Sequence, residues 1–168
     1  MGKLFRSDPS QLAWRWQSKV LDRFGDGADK LGCLPFQHPG VFGYQLVEGE
    51  SGWTIILSER WCEVERWSEL SDKEALYFLA KLRTQQIAEQ FQHENRVPGK
   101  DFRRILFQRH RKLMGRISFG WILRLFGEQM RELRKRPYDD VSNGIYVGPY
   151  RLIETIKPSG SVEQDLKK

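Results

Sequence analysis

The side chains of this 168-residue chain best suited to nucleophilic or metal chemistry are three histidines and two cysteines. Their spacing suits neither use. A nucleophile–base pair needs Ser or Cys beside His, yet His38 stands next to Pro39, His93 falls near a helix end and His110 lies in a basic helix. None belongs to a nucleophile elbow or a Cys/His signature. Cys33 and Cys62 lack a CxxC spacing and read as reduced, half-buried thiols. His93-Glu94 is followed by Asn95-Arg96 and no second His, so the zinc motif HExxH is absent. Asp139-Asp140 and the pair Glu63/Glu65 offer carboxylates for Mg²⁺, but without a third acid or Lys at a diagnostic spacing they read as turn and solvated-strand residues. Gly25-Asp26-Gly27 does not follow a strand and lacks the pattern of a phosphate cradle. The expectation is therefore a protein with no catalytic residue, no metal and no cofactor.

Charge is the sharper signal. Residues 100–136 hold twelve Lys/Arg against Asp101, Glu128 and Glu132, so of the net +6 this segment carries +9 and the rest of the chain −3. An electrostatic partner should meet that segment first. One reading is a nucleic-acid-binding module, with Arg and Lys on phosphates and interleaved Phe and His for stacking. The other is a set of amphipathic helices whose charges are their solvated faces. No recognised nucleic-acid motif is visible, which favours the second.

The elements that must position these residues are legible from pattern. Asp8-Pro9 marks a helix start, with Asp8 as N-cap and Gln11 at the capping-box position. Leu12, Trp16, Val20 and Leu21 follow at helical spacing, and Gly25 and Gly27 break the helix or end it near Leu31. Strand signals come next: 42–47, 53–57, and 61–67 after a reversal near Ser58 to Arg60. Period-two alternation in the last puts Trp61, Glu63, Glu65 and Trp67 on one face and Cys62, Val64 and Arg66 on the other. Ser71 and Glu74 form a capping box for a helix ended by Pro98-Gly99. A second helix runs from about Asp101 with Phe102, Ile105, Leu106 and Leu113 as its stripe, stopping at Gly115. Ser118 caps a third, bearing Trp121, Ile122, Leu125, Phe126, Met130 and Leu133, closed by Pro137. Residues 144–156 hold one more strand or strand pair. The fold class expected is α+β, a small antiparallel β-meander packed against an N-terminal helix and three following helices.

The length fits one domain, expected over residues 1–156 with a frayed polar tail at 157–168. The apolar stretch Trp121 to Phe126 is far short of the ~20 residues of a membrane span and contains Arg124. Residues 1–17 show no continuous apolar run and no small-residue cleavage site, so a cytoplasmic location is expected.

Across the middle of the chain stand Ser58-Glu59-Arg60, Glu63, Glu65-Arg66, Leu76-Tyr77, Asn95-Arg96, Asp101-Phe102-Arg103-Arg104-Ile105-Leu106-Phe107 and Lys135-Arg136-Pro137-Tyr138-Asp139-Asp140. In order and spacing this resembles the Immunity protein 63 family of bacterial polymorphic toxin systems, and Leu34-Pro35, followed by Phe36, extends the likeness upstream. Trp61 stands where the family commonly has a small residue, and Phe119-Gly120 where Pro-Glu is usual. The resemblance implies a non-enzymatic inhibitor. Its partner would be a toxin C-terminal domain encoded by the neighbouring gene, with no membrane and no nucleic acid involved. The Asp101 to Phe107 motif itself reads mainly as architecture, with Phe102, Leu106 and Asp101 at the helix start serving the fold. Desolvated aromatic and Arg anchors mark binding surfaces. On that ground the expected toxin-binding residues are Trp61, Glu63, Glu65, Trp67, Arg103, Arg104 and Arg111. A basic inhibitor pairs poorly with a basic nuclease, so the toxin expected is one with an acidic or neutral site, such as an ADP-ribosyltransferase or other NAD-using enzyme.

Overall fold

A computed structural model describes residues 8–36 and 42–140 and two short strands, Ile145–Tyr146 and Leu152–Ile153. The first helix, α1 (Pro9–Trp16), starts where expected: the Asp8 carboxylate accepts the Ser10 amide at 2.8 Å and Pro9 takes the first helical position. It continues through a π-helical stretch, Gln17–Leu21, into α2 (Asp22–Phe24), and a separate 3₁₀ turn covers Ala28–Leu31. The cause lies in the spacing. Leu12, Trp16, Val20 and Phe24 are all buried and recur every four residues. A strict 3.6-residue period would rotate them steadily off the core, so the wider π turn keeps Trp16, Val20 and Phe24 on one side.

Strands β1 (Phe42–Glu48), β2 (Trp53–Glu59) and β3 (Cys62–Leu70) form an antiparallel meander in the order β1-β2-β3. Leu46, Trp53 and Ile55 are buried on the face toward the helices. Two register shifts interrupt the β2–β3 ladder. At the first, Ser68 and Glu69 together oppose Thr54, with Glu69 in the left-handed region (φ 59). Gly52 packs under this bulge, where a Cβ would lie 2.6 Å from the Leu70 carbonyl oxygen. At the second, Leu57 pairs with Glu65 but Ser58 pairs with Glu63, leaving Val64 as the extra residue. This corrects the alternation expected for 61–67. The bulge puts Glu63 on the side of Arg66, to which it is ion-paired at 2.7 Å, and not beside Glu65 and Trp67. The reversal is centred on Arg60-Trp61, at the end of the expected span, and β3 starts at Cys62, one residue later than expected.

Helix α3 (Asp72–Glu94) is the spine. Its capping box is present, with the Glu74 carboxylate accepting from the Ser71 amide at 3.1 Å and the Ser71 hydroxyl accepting from the Glu74 amide at 3.4 Å. The helix buries Ala75, Leu76, Tyr77, Leu79, Ala80 and Ala88, and ends before Pro98 is reached. Asp72 ties three elements together: its carboxylate accepts Trp53 Nε1–H of β2 at 2.8 Å and is ion-paired with Arg15 of α1. Helix α4 (Arg103–Ile117) starts two residues after Asp101 and passes through Gly115. Helix α5 (Phe119–Lys135) packs antiparallel-style behind a one-residue join at Ser118. Beyond it, β4 (Ile145–Tyr146) and β5 (Leu152–Ile153) pair antiparallel, inside the expected span. The arrangement is α+β, as the sequence implied; the tail 157–168 lies outside the described residues.

Candidate functional site

The seven residues singled out by sequence do not gather at one place. Trp61 sits at the β2–β3 hairpin tip, 66% exposed. Arg60 and Trp61 are the two central turn residues, and both have positive φ, 51 and 69. A two-residue hairpin turn of this hand favours Asn-Gly, so an Arg-Trp pair there is strained on the order of 1 kcal/mol per residue. Glu63 is exposed and engaged with Arg66. Glu65 is exposed on the opposite side of β3. Trp67 is half-buried, its ring 4.5 Å from that of Phe78 on α3, which makes it part of the sheet–helix packing.

The three arginines bind within the chain. Arg103 is ion-paired with Asp101 at 2.6 Å and donates to the Arg136 and Pro137 carbonyls at 2.7 Å each. Arg104 is ion-paired with Asp140 at 2.8 Å and lies over the Tyr138 ring at 4.1 Å. Asp101 accepts the Asp139 amide at 2.9 Å and donates its own amide to Asp140 at 2.8 Å. The two motifs Asp-Phe-Arg-Arg and Pro-Tyr-Asp-Asp thus form one reciprocal clamp that holds the end of α5 to the start of α4. Asp101 also accepts the Arg103 amide at 2.9 Å, satisfying a free donor of the first turn of α4. Burial raises the Asp101 pKa, but the bonds from Arg103 and the Asp139 amide prevail and hold it below the ordinary value. Asp140 is held down at about 2, chiefly by Arg104 and the Asp101 amide. Phe102, expected to serve the fold, is 41% exposed, while Leu106 is buried. Arg111 donates to Gln129 at 2.7 Å and lies over Phe126.

A cleft of about 220 Å³ opens between α3, α4 and α5, lined by Lys81, His110, Glu128 and Gln129 among others. Glu128 is its hub, accepting from Lys81 at 2.6 Å and from the Tyr77 hydroxyl at 3.0 Å. Burial raises its pKa, and Lys81 more than offsets this, so it stays ionised. Burial and Glu128 together raise the pKa of Tyr77. His110 is 3% exposed and donates Nε2–H to the Lys81 carbonyl at 3.1 Å. Burial pushes its pKa down to about 4, so it is neutral at pH 7. The network fastens three helices and contains no nucleophile beside the histidine. Among the described residues no group of three His, Cys, Asp or Glu is placed to hold a metal. Both cysteines are free, and exposed where half-burial was expected. No described helix is long and apolar enough to cross a membrane.

The hairpin, α3, α4 and most of α5 coincide with a known family. The model of Immunity protein 63 matches residues 49–131. This segment belongs to that family. The resemblance read from the Ser-Glu-Arg and Asp-Phe-Arg-Arg motifs is borne out, and the Immunity protein 63 segment contains the strained tip, all of the cleft lining but Glu132, and the Arg half of the clamp. No curated protein and no solved structure matches the chain. The match over residues 49–131 implies an immunity protein, a class that acts by binding a toxin.

Proposed function

We propose that this immunity protein is a non-enzymatic inhibitor of one toxin domain encoded by the neighbouring gene. It works in the cytoplasm, covering the toxin's active site. The observation that carries the reading is the hairpin tip inside the family segment, where strained backbone holds a large aromatic side chain outward. Strain of this kind persists where the surroundings impose it, and it clusters at binding sites. An exposed Trp flanked by Arg60 and Glu63 has the composition of an interface anchor. Glu65 and Trp67 extend the contact along β3. Arg103, Arg104 and Arg111 contribute through the edges that their internal bonds leave exposed.

The charge balance supports a toxin with an acidic or neutral site, an NAD-using enzyme such as an ADP-ribosyltransferase, over a basic nuclease. The test is co-expression with the toxin domain of the adjacent gene. Full protection is expected, and Trp61→Ala should weaken binding by roughly 30-fold, the effect of losing a ~2 kcal/mol anchor. Toxicity that persists beside the intact protein overturns the reading. A toxin that degrades RNA or DNA would overturn the assignment of its chemistry alone.

A further inference from the structure

Helix α5 is seventeen residues long, yet Leu125 is its one fully buried apolar side chain. Phe119, Leu123, Phe126 and Met130 are instead 75%, 56%, 47% and 37% exposed. Their spacing of four, three and four residues places them on one face of the helix, turned away from the cleft that Leu125, Glu128 and Gln129 line. An apolar helical stripe of this length normally seeks a core.

Two glycines share that face. A Cβ at Gly127 would meet nothing within 4 Å, and one at Gly120 only the Ser118 hydroxyl at 3.8 Å. The chain's own packing therefore requires neither to be glycine, although Gly127, inside the helix, costs about 1 kcal/mol of stability relative to Ala. What they provide is a shallow notch beside the stripe, low enough for another backbone to approach.

The rim is basic. Arg131 and Arg134 flank the stripe by helical spacing, and Arg111 lies over Phe126 from α4. Helix α4 contains no acidic residue, and the two acids of α5 face the cleft, Glu128 being taken up by Lys81 and Tyr77. A second copy is a poor occupant. An antiparallel pair would set Arg131, Arg134 and Lys135 against the positive end of the other α5, whose first turn has no acid, and a parallel pair would align like charges.

We propose that the outward face of α5, centred on Leu123 and Met130, docks an apolar helix or ridge of the toxin whose flanking side chains are acidic. This rests on the immunity reading and adds a contact separate from the hairpin tip. Phe, Met and Arg around a small notch is the composition of interface cores.

The experiment compares the intact protein, Leu123→Ser/Met130→Ser and Arg131→Glu/Arg134→Glu by affinity for an inactivated form of the adjacent gene's toxin domain. Melting temperature and sedimentation are measured on each. The apolar variant should bind at least 30-fold more weakly with an unchanged melting temperature, and the charge variant should lose the salt-sensitive part of binding. Unchanged affinity in both variants overturns the proposal. So does a melting drop with affinity kept, which gives the stripe to this chain's own segments, or a dimer that the apolar variant dissociates with affinity kept, which gives it to a second copy. Failure of the intact protein to bind the toxin is a different result and removes the immunity reading itself.

Discussion

Lowering the pH should destabilise this protein well before its carboxylates protonate, and His110 should be the cause. Its imidazole is 3% exposed, with Lys81, Glu128 and Arg111 as its charged neighbours, and burial outweighs the bond to the Lys81 carbonyl. The folded pKa is about 4 against an ordinary 6.5. A histidine depressed in the fold binds fewer protons there than when unfolded, so stability is complete above pH 6.5 and is lost as pH falls from 6.5 toward 4. At pH 5 the loss amounts to about 2 kcal/mol, and it approaches about 3 kcal/mol near pH 4. For a domain of this size, 2 kcal/mol corresponds to a melting shift of roughly 4–8 °C. Urea denaturation at pH 7.5 and pH 5.0, on the intact protein and on His110→Gln, isolates the effect. The substitution changes the absolute stability as well, so the quantity to compare is the difference between the two pH values. His110→Gln should lose most of that difference. If both proteins lose the same stability between pH 7.5 and 5.0, burial of a neutral His110 is not what the fold protects.

Two further substitutions probe the clamp and the hairpin. Asp101→Asn keeps the shape but leaves Arg103, 13% exposed on its side chain, without its counter-charge. The two carbonyl bonds to Arg103 remain, so the cost should sit near the low end of the buried-pair range, about 2–3 kcal/mol by chemical denaturation. A double-mutant cycle with Arg103→Met should recover much of that cost, and strict additivity would contradict the clamp. Arg60→Asn relieves a left-handed backbone and should raise stability by roughly 0.5–1 kcal/mol, read as a higher urea midpoint with unchanged slope.

How much of this was legible follows the range of the interactions. Two of the three expected helix caps were, because Asp8 with Pro9 and Ser71 with Glu74 act within four residues; Ser118 stands at the start of α5 as expected, but its side chain makes no capping bond. The meander was legible from its apolar alternation, but the Val64 bulge was not: period two assumes no inserted residue, and nothing in Cys-Glu-Val-Glu-Arg announces one. The π stretch was hidden for a related reason, since residues spaced by four satisfy a helical stripe and a π turn equally over a short window. The arginines are the instructive case. Arg104 reads as a free anchor because its partner Asp140 lies thirty-six residues away, and Arg103 because the Arg136 and Pro137 carbonyls that complete its fork, beyond nearby Asp101, are equally remote. Asp101 at a helix start already reads as architecture, and the structure supplies the reason: its carboxylate is the shared acceptor of the clamp.

The same pairing changes what the basic segment means. Six of its twelve cations, Arg103, Arg104, Arg109, Arg111, Arg116 and Arg124, lie over Tyr138, Phe91, Phe126, Phe24 or Tyr77 within 5.8 Å of a ring centroid. A guanidinium stacked in this way stiffens the helix bundle and offers only its outer edge to a partner. Of the other six, Lys100 is paired with Asp140 at 3.7 Å, and among the described residues Lys112, Arg131, Arg134, Lys135 and Arg136 are left to act mainly through space, four of them in or just beyond the last turns of α5. A nucleic-acid surface spreads its cations to follow a phosphate track. Here they crowd one helix end beside an exposed apolar stripe, which is the pattern of a charged rim around a protein-binding patch. The net charge that first suggested phosphates therefore weighs, once its internal half is set aside, toward a folded acidic partner.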